Sequence, residues 1–454
     1  MLKVSVIVPV YNCEKFILEF VECLNNQTMP EFEAIFIDDC SDDGTSELLQ
    51  KEIASKNRYS YYRNSERMGA AYSRNKGIEL CKAQYILCLD ADDRFEADLL
   101  EEVVTVAYDN AADMVMLERN DFYGGDLNTI KRERRMFRDE KQLLHKQPFT
   151  VKKQPIDFLL RCENGTLDRM IHKSLLDKYE IRFQDLKNSN DVFYTVFSTL
   201  AADRIMHTKE FANLYHRRVH NEPQRISYSR DPMCAYEALL KVHDHLIKYD
   251  LWDDYCVHFW VFALDSLEKQ LFVCKDLSRR EEVYRYIQEE GLRKLGVEND
   301  REYERLPKAY CKQFRRFLEL SYDCKCFMQS MSLEAVCEEN IGNIQKLASD
   351  MGQRRVAFWG IGRKMPVFLS AYKKQGGIIS YILDNDVNKQ GQMIEGIEVT
   401  AFEKVWNQID AIIVSNKNFY LDIQNQIRKC SDRIEILCLE EIVYANDLKK
   451  EVRG

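Results

Sequence analysis

Glycine and proline are scarce in this chain, with 17 Gly and 8 Pro among 454 residues. So low a content excludes collagen-like and low-complexity chains, which need far more of both residues. Apolar residues make up 45% of the chain and charged residues 31%, which is typical of a folded globular protein, here one rich in helix. Because the length exceeds the usual size of one core, we expect two or three domains.

A long apolar run is also missing. The most apolar helical stretch, YCVHFWVFALDSL at 255–267, is short and is interrupted by His258 and Asp265, so no membrane-spanning helix is predicted. The opening residues MLKVSVIVPVY resemble a strand and lack the charged segment and cleavage site of a signal peptide. We therefore expect a cytoplasmic protein.

An excess of basic charge is absent as well. The chain has 65 Lys and Arg against 74 Asp and Glu, a net charge of −9, which argues against a general nucleic-acid binder. Its 15 Cys are scattered, often within apolar runs, as expected of small buried hydrophobes in a reducing compartment. The CKC stretch at 324–326 has no second pair at zinc-ligand spacing, so a structural role is favoured over a metal site.

Strand-like and helix-like segments alternate over the first 120 or so residues. KVSVIVPVY, FEAIFIDD, RYSYYRN and AQYILCLD are short β-rich runs, and an amphipathic stretch follows each of them. This alternation predicts an α/β fold with a mainly parallel sheet between helices. Ligands of such sheets bind at the carboxyl ends of the strands, here the polar segments 9–12, 38–43 and 90–93. We expect one pocket to collect all three.

Three domains are predicted, with boundaries at 1–230, 231–350 and 351–454. The first is the α/β domain, the second a helical bundle and the third a smaller, Rossmann-like α/β domain. Within the first domain, the polar and locally basic residues 121–153 fit either a mobile flap beside the pocket or a solvated surface excursion.

The third domain has the spacing of a dinucleotide-binding fingerprint. Gly360 and Gly362 lie between a predicted strand and helix, and Asp384 ends the next strand about 20 residues on. Met365, however, stands where that fingerprint has its third glycine. We favour a structural or nucleotide-sensing module over an NAD enzyme.

A cluster of carboxylates follows the fourth strand, in the sequence LDADD. Asp90, Asp92 and Asp93 would repel one another and raise each other's pKa unless a cation lies between them. Oxygen ligands of this kind suit Mg²⁺ or Mn²⁺, which keep open positions for phosphate. Alternatively, Asp92 or Asp93 caps the next helix, although all three cannot do so.

Four motifs in order now carry a resemblance to a known family. VSVIVPVYN, FIDDCSDDGT, GAAYSRNKGI and LDADD together resemble the nucleotide-sugar domain of family 2 glycosyltransferases, over about ninety residues and more weakly to about residue 230. The resemblance implies an inverting enzyme of the type A glycosyltransferase fold that needs Mn²⁺ or Mg²⁺. It implies transfer of a sugar from a nucleotide donor, in our interpretation UDP-linked, to a hydroxyl of a surface polysaccharide such as a capsule, or of a related glycan. The DNDxxKxG pattern at 384–391 likewise resembles Rossmann-like domains of bacterial surface-polysaccharide enzymes.

The resemblance also implies roles for individual residues. The residues carried over to the nucleotide-sugar site are Pro9, Tyr11, Asn12, Asp38, Asp39, Asp90 and Asp92. Asp39 would accept the imide N–H of uracil and Tyr11 would offer a flat face for stacking, while Asp92 would hold the metal together with Asp93. Asp38 taken alone could equally be a solvated strand end. We expect Arg74 and Asn75 to brace the metal loop rather than touch substrate.

The catalytic base implied by the resemblance is Asp191, in SNDVFYTVFSTL. Asn190 stands where the family usually has Glu, and the alternative is that Ser189, Asn190 or Asp191 simply caps the helix that follows. Further along, His216 is a candidate late metal ligand, and Arg217 or Arg218 could face the diphosphate. A lone His in a strand is more often structural.

Other interpretations stay open at this point. A nucleotidyltransferase would show a glycine-rich phosphate loop early in the chain, and PVYNCEKF has no glycine. A non-catalytic scaffold is favoured by the Asn190 departure. The QxxRW signature of processive relatives is absent, so transfer of one or a few sugars is expected. Peripheral contact with the inner face of the membrane, for a lipid-linked acceptor, and self-association are left open.

Overall fold

The computed structural model divides into two compact units, Met1–Tyr322 and Asp323–Gly454. The residues that it describes are 2–117, 119–123, 130–134, 147–162, 169–207, 214–219, 231–274, 276–297, 341–360, 364–386, 389–394, 396–414 and 420–439. Much of the polar segment 121–153, the CKC stretch and Gly362 lie outside them. The three predicted domain boundaries stay predictions.

A seven-stranded sheet is the centre of the first unit, with strand order β10-β6-β9-β4-β1-β2-β3. Its strands are β1 (Val4–Val10), β2 (Phe32–Asp38), β3 (Tyr59–Arg63), β4 (Tyr85–Cys88), β6 (Met114–Met116), β9 (Arg169–His172) and β10 (Ile205–His207). All neighbours pair in parallel except β9, which is antiparallel to β4 and β6. The prediction of a mainly parallel sheet is confirmed.

A second, four-stranded sheet lies in the same unit, in the order β5-β11-β7-β8. Its strands are β5 (Arg94–Phe95), β7 (Arg119–Tyr123), β8 (Ile130–Arg134) and β11 (Tyr215–Val219). β11 pairs antiparallel with β5, which directly follows the predicted metal loop. The pairing therefore brings a distant part of the chain beside that loop.

Helices alternate with the strands of the large sheet along the chain. They are α1 (Ile17–Asn25), α2 (Thr45–Ile53), α3 (Ala70–Leu80), α4 (Leu99–Asp109), α5 (Phe158–Arg161), α6 (Lys173–Lys178) and α7 (Val192–Ala201). In α1 the buried residues Ile17, Phe20, Val21 and Leu24 recur at helical spacing, which gives the helix one apolar face.

The helical segment that follows belongs to the same unit. Its helices are α8 (Pro232–Lys248), α9 (Trp252–Val273), α10 (Leu277–Tyr286) and α11 (Leu292–Lys294), with a π-helical turn at Ile287–Gly291. α8 begins with a side-chain cap from Asp231 to the Met233 N–H and with a proline in its first turn. Among the described helices, none is long and apolar enough to cross a membrane.

The second unit has a six-stranded sheet in the order β14-β15-β13-β12-β16-β17. Its strands are β12 (Val356–Trp359), β13 (Tyr381–Leu383), β14 (Met393–Ile394), β15 (Ile397–Thr400), β16 (Ala411–Val414) and β17 (Glu435–Cys438). Its helices are α12 (Ile341–Met351), α13 (Lys364–Lys374), α14 (Phe402–Val405) and α15 (Tyr420–Arg428). Apart from β14, the strands are parallel and follow a doubly wound order, as predicted for a Rossmann-like domain.

Asp384 in this unit is engaged within its own loop. Its carboxylate accepts hydrogen bonds from the Asp386 N–H at 2.9 Å and from Lys389 Nζ at 3.2 Å. In a dinucleotide enzyme this carboxylate would bind the ribose. The contacts therefore favour the structural interpretation of the loop.

Close packing of α3 on β1 depends on Gly77. A Cβ atom added at this residue would lie 2.3 Å from Cγ2 of Ile7, a buried residue of β1. Glycine is therefore required for the helix to approach the strand this closely. The same approach places the preceding turn of α3 next to the carboxyl ends of the strands.

We expect Gly77→Ala to lower the free energy of unfolding by about 1–3 kcal/mol, because the added methyl group overpacks the contact with Ile7. A loss of stability would be informative, because replacing Gly by Ala within a helix usually stabilises the protein. Gly342→Ala in α12 is the control, because its Cβ would meet no heavy atom within 4 Å. Equal thermal unfolding of Gly77→Ala and the parent chain would contradict the packing argument.

Candidate active site

The three carboxylates after β4 form one cluster. Asp90, Asp92 and Asp93 each offer an oxygen, and these oxygens lie within 4.8 Å of one another. Asp90 and Asp92 are half-buried and Asp93 is buried. Burial raises the pKa of Asp93 well above its usual range, and the charges of Asp92 and Asp90 raise it further. A set of carboxylate oxygens this close is suited to a hard divalent cation.

Asp93 joins this loop to β11. Its Oδ2 accepts a hydrogen bond from the Tyr215 hydroxyl, and its Oδ1 accepts one from the Arg218 N–H at 2.8 Å. Both donors come from a strand more than 120 residues further along the chain. Asp93 thus fixes the shape of the loop, while Asp90 and Asp92 are the more accessible carboxylates. The role of Asp93 as a metal ligand stays a prediction.

Two buried arginines balance the negative charge of the loop. Arg74 of α3 donates from Nη2 to Asp90 Oδ1 at 2.9 Å, which confirms the expected bracing by this residue. Arg218 donates from Nε to the Asp92 carbonyl at 2.8 Å and from Nη2 to Glu19 at 2.5 Å. These contacts tie the Arg218 guanidinium to the loop and to α1, and the role of Arg217 or Arg218 towards a diphosphate stays a prediction.

Aromatic rings enclose the Arg218 guanidinium. The rings of Phe16 and Phe122 each lie 4.6 Å from it. Burial lowers the Arg218 pKa, whereas Asp92 and Asp93 oppose that effect. A cation held this way can stabilise the carboxylate cluster without occupying the open side of the loop.

Asp39, the residue predicted to meet the base, lies at the end of β2 and is 4% exposed. Its Oδ1 accepts hydrogen bonds from Asn64 Nδ2 at 2.8 Å and from the Met68 N–H at 2.7 Å. Its Oδ2 accepts one from the Gly69 N–H at 2.7 Å. Gly69 has a φ of +87°, which glycine adopts readily, and α3 starts directly after it. Asp39 therefore anchors the start of α3, and its contact with a base stays a prediction.

Asp38 is fully buried at the end of the same strand. Its carboxylate accepts hydrogen bonds from Ser46 at 2.5 Å, Tyr61 at 2.6 Å, the Ser41 N–H at 2.9 Å and Arg63 at 2.8 Å. Burial alone would raise the pKa of Asp38, but the hydrogen bonds from Ser46, Tyr61 and Ser41 outweigh it and lower the pKa. The structure thus gives Asp38 a role in holding the loop, and its contact with a nucleotide stays a prediction.

The loop after β1 is fixed to the loop after β2. Asn12, with a φ of +47°, donates from Nδ2 to Asp42 Oδ1 at 2.6 Å and accepts from the Asp42 N–H at 3.0 Å. Tyr11 is 37% exposed, and the guanidinium of Arg67 lies 4.1 Å from its ring centroid. Pro9 pairs with Ile37 across β1 and β2. An exposed aromatic ring is thus available at the rim of the sheet.

Asp191 lies directly before α7 and is half-buried. Its side chain makes no capping hydrogen bond to the described backbone of α7, so the capping alternative does not account for it. Burial would lower the pKa of Arg74, but the charge of Asp90 and, more weakly, that of Asp191 raise it. Asp191 and the metal loop therefore act on the same guanidinium.

His216 is buried in β11, where its Nε2 lies 3.0 Å from Glu96 Oε1. The carboxylate cluster described above does not include this residue, and its role as a metal ligand stays a prediction. Sequence reasoning missed Tyr215 and Glu19, because neither belongs to a motif with recognisable spacing.

We expect Asp38→Asn to lower the free energy of unfolding by roughly 1–3 kcal/mol at neutral pH, since a buried, hydrogen-bonded charge is lost. The folded-state pKa of Asp38 is lowered, so its stabilising effect is present above the unfolded-state pKa of about 4 and is lost as the pH falls through the folded-state value. The difference in free energy of unfolding between Asp38→Asn and the parent chain, measured by urea titration, should therefore become smaller below about pH 4. Glu52→Gln, which breaks an exposed ion pair with Lys56, is the control. A pH-independent difference for Asp38→Asn would contradict the assignment.

Comparisons with known proteins give two family matches and several similar relatives. Residues 5–177 match the family Glycosyl transferase family 2, and residues 352–437 match the family C2185-like, N-terminal. The chain is 39% identical over 99 residues to the putative teichuronic acid biosynthesis glycosyltransferase TuaG of Bacillus subtilis, covering 22% of this chain and 39% of TuaG. It is 28% identical over 222 residues to the putative glycosyltransferase EpsH of the same organism, covering 48% of this chain and 61% of EpsH.

A third relative is one whose structure has been solved. The poly(ribitol-phosphate) beta-N-acetylglucosaminyltransferase TarS of Staphylococcus aureus is 25% identical over 254 residues, 55% of this chain and 42% of TarS. The chain thus spans between 39% and 61% of the lengths of these three relatives. The structure of TarS 1–349 in complex with UDP aligns with a TM-score of 0.53 at 20% identity, over 73% of this chain and 91% of that chain, and shows a common fold. The match to family 2 glycosyltransferases thus covers the amino-terminal residues 5–177 of this chain.

Proposed function

We propose that this chain is a metal-dependent, inverting glycosyltransferase that uses a UDP-linked sugar. The observation that carries the proposal is that α3 contacts three separate parts of one site. The N–H of Gly69, just before its start, binds Asp39, Arg74 binds Asp90, and Asn75 binds the backbone of Phe183, which lies in the loop that leads to Asp191. A base-binding carboxylate, a metal-binding pair and a proton acceptor are the groups that this reaction requires.

The donor would bind across the carboxyl ends of β1, β2 and β4. Tyr11 offers its exposed ring to the base, and Asp39 offers acceptor oxygens to the imide N–H of uracil. Asp90 and Asp92 would hold Mn²⁺ or Mg²⁺, because they are the accessible carboxylates of the cluster. When bound, the cation would neutralise negative charge on the diphosphate of the donor and on the departing UDP.

Asp191 would then act as the general base. The acceptor hydroxyl gives its proton to the Asp191 carboxylate while its oxygen forms a bond to the anomeric carbon. The bond from that carbon to the diphosphate oxygen breaks, and UDP leaves with the electron pair. A single displacement of this kind inverts the anomeric configuration. Arg74, buried beside Asp90, holds the metal loop in place during the reaction.

The acceptor class is inferred from the relatives. The name of TuaG refers to the biosynthesis of teichuronic acid, and the name of TarS refers to sugar transfer to poly(ribitol-phosphate). Both polymers are glycans or resemble glycans. We therefore propose a hydroxyl on a bacterial surface polysaccharide such as a capsule, or on a lipid-linked precursor, as the acceptor. The proposal places the chain in the cytoplasm, at the inner face of the membrane where the acceptor is lipid-linked. UDP-N-acetylglucosamine is the first donor to test, since TarS is named an N-acetylglucosaminyltransferase.

A nucleotide-binding scaffold without activity is the second candidate. Asn190 replaces the Glu expected beside the base, and it favours this alternative because a carboxylate that could orient the acceptor is missing. The two candidates share the nucleotide site and differ only in turnover.

Metal should strengthen binding of UDP but not of uridine, because only UDP carries the diphosphate that a cation can bridge. We expect the Kd of UDP, measured by calorimetry, to rise about tenfold or more when Mn²⁺ is removed with EDTA. The Kd of uridine should not change. Asp92→Asn should bind UDP with the metal-free affinity whether or not Mn²⁺ is present. Equal UDP affinity with and without metal in the parent chain would refute the cation site.

Turnover should depend on Asp191 and not on a neighbouring carboxylate. We expect Asp191→Asn to lower the rate of sugar transfer, or of donor hydrolysis with water as acceptor, by roughly 10²–10⁴-fold at unchanged Kd for UDP. Asp185→Asn is the matched control, because Asp185 is an exposed carboxylate of the same loop. Full activity in Asp191→Asn would remove it as the base, and a parent chain that binds UDP but turns over no UDP-sugar would favour the scaffold.

A further inference from the structure

Asn75 makes a two-point contact with a distant segment of the chain. Its Nδ2 donates to the Phe183 carbonyl at 2.9 Å, and its Oδ1 accepts from the Phe183 N–H at 2.8 Å. The partners are 108 residues apart in sequence. Two antiparallel hydrogen bonds to one residue fix its orientation as well as its position, which one bond cannot do.

Phe183 begins the segment that ends at Asp191, which we name the base segment (residues 183–191). Between α6 and α7 this segment contains no helix or strand, and the whole of it is described. It folds back on itself, since the Gln184 N–H donates to the Asn190 carbonyl at 3.1 Å. The two ends of the base segment therefore lie side by side, and a shift of Phe183 is passed to the residue before Asp191.

A second asparagine holds the other side of the base segment. Asn188 donates from Nδ2 to the Asp231 carbonyl at 3.3 Å and accepts from the Asp231 N–H at 3.0 Å. Asp231 is in turn fixed by two hydrogen bonds from Arg279, at 3.1 Å and 3.0 Å. The base segment is thus bonded to α3 on one side and to the start of α8, which α10 supports, on the other.

Side-chain packing places Phe183 equally firmly. Its ring stacks on that of Tyr194, with centroids 4.0 Å apart and an interplanar angle of 14°. The Arg74 guanidinium lies 5.4 Å from the Phe183 ring centroid. Arg74 and Asn75, adjacent in α3, therefore contact the metal loop and the base segment respectively.

From this arrangement we infer that Asn75 is a positioning residue for Asp191. By holding Phe183 against the same turn of α3 that binds Asp90, Asn75 sets the distance between the proton acceptor and the leaving group. The inference rests on the proposed function and deepens it, since both polar atoms of the Asn75 side chain bind the Phe183 backbone and Asn75 acts through that contact. It also revises the expectation that both Arg74 and Asn75 brace the metal loop. A reaction geometry displaced by about 1 Å can cost about a hundredfold in rate.

The test compares Asn75→Ala and Asn75→Asp in the full chain, with UDP-N-acetylglucosamine, Mn²⁺ and water as the acceptor. We expect Asn75→Ala to lower kcat about 10–100-fold, with KM for the donor and Kd for UDP changed less than twofold. Asn75→Asp keeps the acceptor for the Phe183 N–H and loses the donor, so its kcat should be intermediate. A general loss of structure would change KM and UDP binding as well.

A matched control comes from the opposite end of α7. Asp113 accepts hydrogen bonds from the N–H groups of Asp203 and Arg204, at 3.0 Å and 2.9 Å, just beyond the end of that helix. Asp113→Ala also removes two contacts to a loop backbone, but it should leave kcat within twofold of the parent. A fall in kcat in Asp113→Ala as large as that in Asn75→Ala would show that any weakening around α7 is enough, and would overturn the inference.

Amide hydrogen exchange gives a readout that does not need activity. In Asn75→Ala we expect the amides of the base segment to exchange at least tenfold faster, while those of 85–93 keep the parent rate. Unchanged exchange in the base segment overturns the inference whatever the activity. Asp191→Asn, measured in parallel, separates the proposed base from the proposed positioning role. If Asp191→Asn keeps its turnover, Asp191 is not the base. If Asp191→Asn loses activity but Asn75→Ala keeps full kcat, only the positioning role of Asn75 is overturned.

Discussion

The close approach of α3 to β1 is the constraint on which the site depends. Gly77 removes the side chain that would collide with Ile7, and α3 can therefore lie against the strands whose carboxyl ends carry the acidic loops. One short helix then contacts Asp39 at its start, Asp90 through Arg74, and the base segment through Asn75. Because a helix is stiff, the relative positions of these three groups are set together rather than one by one.

Charge balance is the second determinant of the site. Crowding carboxylates in a partly buried loop is unfavourable without compensating cations. Arg74 supplies fixed positive charge through its hydrogen bond to the Asp90 carboxylate. Arg218 supplies it through its hydrogen bond to the Asp92 carbonyl. Asp90 and Asp92 are both half-buried, and in the proposed function they hold the divalent ion. The protein thus holds the cluster in shape before ligand arrives, which lowers the cost of ordering it on binding.

Local pattern predicted the mainly parallel sheet and the clustering of carboxylates after β4. Strand–helix alternation gave the parallel sheet, and the polar residues at 38–43 and 90–93 marked the strand ends that the structure brings to one edge. The sequence pattern could not predict contacts between residues that are distant in sequence and belong to no common motif. Asn75 with Phe183, and Glu19 with Arg218, are 108 and 199 residues apart, and only the folded chain brings each pair together. Asp38 and His216 also make contacts with distant protein groups that the sequence pattern did not indicate, and their proposed roles towards nucleotide and metal stay predictions.

A crystal structure with UDP and Mn²⁺ would test the central claim most directly, namely that α3 assembles one donor site from the carboxyl ends of the sheet. The account predicts an anomalous manganese peak within about 2.5 Å of an Asp92 carboxylate oxygen. It also predicts the uracil imide within hydrogen-bond distance of Asp39, about 2.9 Å, with Asp191 facing the diphosphate. UDP bound away from Asp39, or manganese bound away from the loop after β4, would contradict it.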